Sequence, residues 1–140
     1  MLTSLAVLSC VIWCWLLTMH GQFWRAGPVL GLAMPTHAPP VAIVVPARDE
    51  APFIARTVGS LLAQNYPGEL HITVVDDRSA DGTGDLVRGL ADDRLAVIEG
   101  GDRPVGWAGK LWALHQGVAA SGQPEYLFLT DADIEHDRPH

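Results

Sequence analysis

Apolar positions fall into two regimes along this chain. From Leu2 to Met19 no side chain is charged. As a helix that run is about 27 Å long at ~1.5 Å per residue, close to the ~30 Å hydrocarbon core of a bilayer. From Val41 onward, short aliphatic runs alternate with segments of helical period. Val41-Ala42-Ile43-Val44-Val45, bounded by prolines, predicts a buried first strand. A helix follows, with Asp49 as its N-cap, Pro52 in its first turn and Ile54, Val58, Leu61 and Leu62 on one face, until Asn65-Tyr66-Pro67-Gly68 stops it. Leu70 to Val75 reads as the second strand, and a short helix from about Thr83 to Asp92 comes after an acid-, Ser- and Gly-bearing turn. Leu95 to Ile98 is the third strand. A Gly-rich loop, Glu99 to Trp107, leads to a helix from about Ala108 to Ser121 with Leu111, Leu114 and Val118 on its apolar face. Glu125 to Thr130 reads as a fourth, buried strand that ends in Asp131-Ala132-Asp133.

The order β-α-β-α-β-α-β with short connections predicts an α/β domain: a parallel sheet, right-handed crossovers and helices on both faces. The acids after strand one (Asp49, Glu50), strand two (Asp76, Asp77) and strand four (Asp131, Asp133) then share the carboxyl rim, where open α/β sheets bind ligands. Each acid alone is an ordinary cap or turn residue; their shared placement is the informative feature. Asp131 and Asp133 are hard oxygen donors that suit magnesium or manganese better than zinc. Lys110, the only lysine, falls in the first turn of the last helix. A cation there opposes the helix dipole unless an anion such as phosphate binds nearby.

Residues 1–19, 20–40 and 41–140 divide the chain into an anchor, a Pro/Gly-rich connector and the folded domain. Phe23, Trp24 and Arg25 follow the apolar run as an interfacial belt and anchoring cation, and Arg25 places the rest of the chain on the cytoplasmic side. The competing reading is a cleaved signal peptide, with Ala33 or Ala38 as cleavage positions.

The 140 residues are 49% hydrophobic with a net charge of −7, enough apolar content for one core and the wrong sign for a nucleic-acid surface. An anionic substrate therefore needs a metal or a placed cation. Cys10 and Cys14 lie in the apolar run and bear little on redox chemistry. His136 and His140 belong to no ligand set with cysteines and read as solvated tail residues.

Val-Pro-Ala-Arg-Asp-Glu, Val-Val-Asp-Asp-Arg-Ser-Ala-Asp-Gly-Thr, Gly-Trp-Ala-Gly-Lys-Leu-Trp-Ala and Leu-Thr-Asp-Ala-Asp, in this order, resemble the nucleotide-binding half of a family 2 glycosyltransferase. With the N-terminal apolar helix and Phe-Trp-Arg, the chain is most similar to the hopene-associated glycosyltransferases of bacteria, over roughly residues 41 to 134. The resemblance implies a Rossmann-like GT-A fold at the bacterial inner membrane, a nucleotide-sugar donor such as a UDP-sugar, an inverting transfer and a lipid or hopanoid-related acceptor. It implies that Pro46, Ala47, Arg48 and Glu50 line the nucleotide pocket, that Asp77 with Asp76 accepts the N–H of the base, that Lys110 approaches the diphosphate, and that Asp131 and Asp133 hold Mg2+ or Mn2+. Asp49 stands where the family has Asn, which replaces a donor by an acceptor. The family's catalytic base and Gln-x-x-Arg-Trp segment lie beyond Asp133 and are not in this sequence; no pattern supports Glu135 or Asp137 as the base. The expectation is a donor-binding half, and the rival is a non-catalytic, membrane-anchored nucleotide-binding module or an inactive fragment. A nicotinamide enzyme is disfavoured because the turn after strand one lacks Gly-x-Gly-x-x-Gly.

Overall fold

The computed structural model describes residues 2–19 and 37–137, which form parts of two compact units, Met1–Ala33 and Met34–His140. The connector up to residue 36, with Phe23, Trp24, Arg25 and Ala33, lies outside the described residues, as does His140. In the first unit α1 (Leu2–Met19) is a continuous helix with no buried residue and a mean hydropathy of 2.0, long and apolar enough to cross a membrane. The Thr18 hydroxyl donates to the Cys14 carbonyl at 2.7 Å, so the polar group near its end is satisfied within the helix.

The second unit runs β1 (Val41–Ala47), α2 (Ile54–Leu62), β2 (Leu70–Asp76), α3 (Thr83–Arg88), β3 (Leu95–Glu99), α4 (Gly109–Ala120) and β4 (Tyr126–Leu129). All pairings are parallel, in the order β3-β2-β1-β4. The chain steps outward from β1 to β3 and then crosses back to the other side of β1, so the strand order reverses between β1 and β4. That reversal opens a crevice at the carboxyl ends of these two strands.

Period-two alternation divides the strand residues between two cores. On one face Ile43, Val45, Ile72 and Val74 pack with Ile54, Val58 and Leu61 of α2 and Val87 of α3. On the other, Val44 and Val75 meet Ala113 of α4, with Leu114 and Val118 beside it. Full burial of each such aliphatic side chain contributes about 1.5–3 kcal/mol, which is why these strands hold the rim in place.

Several expectations are corrected. Leu114 and Val118 of the expected α4 face do pack toward the sheet, but Leu111 is 58% exposed and the buried positions of the helix are the small residues Ala113 and Gly117. A Cβ on Gly117 would lie 2.3 Å from Val44 Cγ1 and 2.9 Å from Val75 Cγ2, so the helix backbone sits directly on the sheet. Helix α3 ends at Arg88 rather than Asp92, because Gly89 caps it and Ala91 turns the chain at φ 47°. Strand β4 is not buried: its residues are 43–57% exposed, since among the described residues it is an edge strand paired with β1 alone.

Candidate functional site

The crevice at the strand reversal is a cleft of about 410 Å³. The end of β1 and its loop contribute Pro46, Ala47, Arg48 and Glu50 to it; Asp77 follows β2; Gly109, Lys110 and Ala113 come from α4; Asp131, Ala132 and Asp133 follow β4. Of the rim acids singled out in the sequence, Asp49 and Asp76 are not among the lining residues.

The loops after β1 and β2 are fastened to each other. Asp49 is not the N-cap of α2, whose cap position is Phe53. It adopts φ 54°, a left-handed conformation that Asp tolerates better than most residues. Its N–H donates to Ser79 Oγ at 3.0 Å and its Oδ1 accepts the Ala80 N–H at 2.8 Å. The N–H groups entering α2 are capped from the other loop. Glu50 N–H donates to Thr83 Oγ1 at 2.9 Å and Ala51 N–H to Asp81 Oδ2 at 2.9 Å. The Thr83 hydroxyl, and after it the Ala51 N–H, hold the Asp81 carboxyl below its ordinary value of 3.8, because both bond the ionised form.

Consecutive residues at the end of β2 point to opposite sides. The Asp76 side chain turns toward α3: its Oδ1 accepts the Ser79 N–H at 2.9 Å, and a Cβ on Gly84 would lie 2.3 Å from its Oδ2. Asp77, 8% exposed, turns toward α4 and the cleft. Arg48 Nη1 lies 3.5 Å from Asp77 Oδ2, so a partly solvated guanidinium faces this buried carboxylate. Gly100 leaves it room, since a Cβ there would come within 3.1 Å of Asp77 Cα and Oδ1. The Gly-rich loop is pinned to α4 by Gly101 N–H donating to Gln116 Oε1 at 2.7 Å and Trp112 Nε1–H donating to Gly101 O at 3.2 Å.

At the opposite wall the ladder continues one bond past β4, from Thr130 N–H to Val44 O at 3.2 Å. The chain then turns, Ala132 is buried in the core on the α2 side of the sheet, and Asp131 and Asp133 flank it in the cleft. Lys110 Nζ lies 2.5 Å from Asp131 Oδ1. Among the described residues no three His, Cys, Asp or Glu side chains form a cation cage. Two carboxylates beside open cleft volume fit a hard cation that arrives with a phosphate-bearing ligand and takes its remaining ligands from that phosphate and water.

His136 is no solvated tail residue; its Nε2 is 3.1 Å from Thr130 Oγ1. The sequence reading also missed Gly109, Ala113 and Ala132, which line the cleft through their small size. The signal for Ala113 was the small pair Ala113 and Gly117 at i, i+4, the spacing that lets a helix lie close to a sheet.

The sequence profile of Glycosyl transferase family 2 matches residues 42–140. A beta-monoglucosyldiacylglycerol synthase from Trichormus variabilis is 29% identical over 93% of this chain and 32% of its own, so the chain spans about a third of that relative's length. Among solved structures, a mannosyltransferase from Pyrobaculum calidifontis in complex with GDP-Man and Mn2+ is 32% identical, with a TM-score of 0.59 over 80% of this chain and 32% of that one. TarS from S. aureus in complex with UDP-GlcNAc is 26% identical, with a TM-score of 0.51 over 67% of this chain and 26% of that one. The parallel sheet and its flanking helices are thus the GT-A arrangement of these neighbours.

Proposed function

The chain belongs to glycosyl transferase family 2, and on that premise we propose that it supplies the donor site of an inverting glycosyltransferase moving a sugar from a nucleotide diphosphate to a lipid. The observation that carries this reading is the convergence of Asp77, Lys110, Asp131 and Asp133 on one cleft at the strand reversal. The base of a UDP-sugar lies against Pro46, Ala47 and Arg48, with its N–H donated to Asp77. Glu50 borders the same pocket. Asp76 supports the loop rather than touching the base. The diphosphate lies at the start of α4, where Lys110 and the helix N-terminus both favour negative charge. Asp131 and Asp133 would hold Mg2+ or Mn2+, which when bound would supply stabilisation of the leaving group's negative charge. Lys110 then passes from Asp131 to a phosphate oxygen. The reading rests on these residue types around the cleft, on the family, and on the nucleotide sugars and Mn2+ held by the fold neighbours.

The domain division is 1–19 as anchor, 20–40 as connector and 41–140 as nucleotide-binding domain, with α1 in the bacterial inner membrane and the domain on the cytoplasmic side. The acceptor is a lipid hydroxyl. The sequence resemblance points to a hopanoid-related acceptor, and the relative's name to diacylglycerol. Direct displacement also needs a base beside the acceptor hydroxyl, and none of this chain's residues is assigned that role.

The test is calorimetric titration of UDP and of GDP into the detergent-solubilised protein, with and without Mn2+, repeated on Asp133→Ala. UDP binding that Mn2+ strengthens, with that strengthening lost in the variant, supports the reading. A cooperatively folded protein that binds neither nucleotide rejects it, and preference for GDP rejects the assignment of the base.

A further inference from the structure

His136 stands three residues beyond Asp133, where the carboxylate-bearing turn ends. Its Nε2 meets Thr130 Oγ1 at 3.1 Å, so one side-chain contact spans the whole turn from the residue before Asp131 to the residue after Glu135. The imidazole packs edge-on against Phe128 of β4, with ring centroids 5.6 Å apart and planes at 72°. The backbone at the same residue is fixed by Ser60 of α2 and by Gln64 just beyond its end. His136 N–H donates to Ser60 Oγ at 2.9 Å, and Gln64 Nε2 donates to the carbonyls of His136 at 3.3 Å and Asp137 at 3.2 Å. Arg56 of α2 adds a contact at 3.7 Å to Glu135.

None of Ser60, Gln64, Thr130 and His136 lines the cleft of Asp131 and Asp133, and Gln64 and His136 border a separate cavity of about 540 Å³, so this network does not touch a ligand held in that cleft. What it encloses is the turn that carries Asp131 and Asp133. Two like charges beside each other repel, and a surface turn holding both would spread apart unless tied at each end. Ala132 fastens the middle of the turn in the core, Thr130 fastens its start to Val44, and the His136 contacts fasten its exit. A small octahedral cation tolerates little variation in ligand geometry, and supporting hydrogen bonds behind the ligands commonly set its affinity.

We propose that His136 is a positioning residue: it clasps Thr130 on β4 while its backbone is locked to α2, and thereby presents Asp131 and Asp133 to a divalent cation at fixed separation. This rests on the reading of those two aspartates as the cation-binding carboxylates.

The test uses the whole protein in detergent with His136→Ala, His136→Gln, Thr130→Val and the Thr130→Val/His136→Ala double variant. Mn2+ affinity at saturating UDP is read by electron paramagnetic resonance, UDP affinity without metal by calorimetry, and folding by thermal unfolding. His136→Ala is expected to weaken Mn2+ about five- to tenfold, the loss of one supporting hydrogen bond, while metal-free UDP affinity stays within about twofold. His136→Gln, whose amide offers the Thr130 hydroxyl both a donor and an acceptor, restores most of the loss. Thr130→Val, which loses the hydroxyl at nearly constant volume, reproduces it, and the double variant loses no more than either single one. Unchanged Mn2+ affinity in His136→Ala overturns the proposal, as does an equal fall in metal-free UDP affinity, which would mark a purely structural role. If His136→Ala does not fold, Thr130→Val decides on the same criteria. UDP binding by the unaltered protein that ignores Mn2+ overturns the carboxylate reading and this inference together. Mn2+ binding that depends on Asp133 but not on His136 or Thr130 overturns this inference alone.

Discussion

Lys110 Nζ lies 2.5 Å from Asp131 Oδ1, joining the first turn of α4 to the end of β4 across the cleft. A lysine at a helix N-terminus is unfavourable by roughly 0.3–1 kcal/mol, and the facing carboxylate offsets that. Both partners are about half exposed, so the pair adds little to stability, about 0–1 kcal/mol. Lys110→Met is therefore expected to shift the unfolding free energy by less than about 1 kcal/mol while weakening UDP about tenfold, the scale of one charge-assisted phosphate contact. Thermal unfolding and calorimetry on the same sample separate the two effects. A large loss of stability with unchanged UDP affinity would make Lys110 a structural residue.

Gly117 sets how near α4 lies to the sheet. A methyl group at 2.3 Å from Val44 Cγ1 cannot be accommodated without lifting the helix, and both valines in its way are buried. Gly117→Ala is expected to destabilise the domain by about 1–3 kcal/mol, the usual cost of overpacking. Val44→Ala in the same chain should recover part of that, giving a coupling between the two substitutions in denaturant unfolding. Simple additivity would mean that the helix tolerates the methyl group.

The strands and α2 were legible in the sequence because Val41 to Val45, Leu70 to Val75 and Ile54, Val58 and Leu61 carry local periodicity. The face of α4 was misread because hydrophobicity favoured Leu111, whereas the closest approach is made by Gly117 and Ala113, which have little hydrophobic signal of their own. An apolar run predicts burial for β4, but whether a strand is central or at an edge depends on which strands it pairs with. Asp49 looked like a cap because its neighbours in sequence begin a helix; its actual partners, Ser79 and Ala80, are some thirty residues away. His136 was missed for the same reason, since Ser60 lies on another element. The cleft itself was legible in outline, because strand ends share a rim in a parallel sheet whatever the details of the loops.

Acid should weaken the fold through Asp81 and Asp92. Arg94, by its side chain and then its backbone N–H, holds the Asp92 carboxyl down to about 2 from 3.8, and Asp81 is also lowered by the Thr83 hydroxyl and the Ala51 N–H. A carboxyl depressed in the folded state contributes stability above its unfolded value of about 3.8–3.9 and loses it as pH falls through its folded value. The unfolding midpoint is therefore expected to drop as pH is lowered from about 4 toward about 2. Asp92→Asn should be less stable than the unaltered protein at neutral pH, with the difference shrinking across that window. A difference independent of pH would mean that the Arg94 contact does not discriminate between the protonation states of Asp92.

Asp76 and Asp77 are adjacent acids with separate expected roles. Because successive residues of a strand project to opposite sides, Asp76 turns to α3 and Asp77 to the cleft, so an acidic pair does not act as one unit. Asp76→Ala leaves the buried end of the β2–α3 turn without the acceptor for Ser79 N–H, and is expected to cost about 1–3 kcal/mol. The loops that shape the cleft share that turn through Ser79 and Asp49, so UDP affinity falls only as far as the turn loosens. Asp77→Asn keeps the volume, but in the proposed donor site it would put an amide donor against the N–H of the base. Rotation of the amide can restore an acceptor, so the expected loss of UDP affinity is about tenfold rather than complete, and Asp77→Ala should lose more. The separation is read by plotting UDP affinity against unfolding free energy for the three variants: Asp76→Ala moves mainly along the stability axis and the Asp77 variants mainly along the affinity axis. If Asp76→Ala and Asp77→Asn fall on one line, the two acids act only through the stability of the loop, and Asp77 has no direct part in recognising the base.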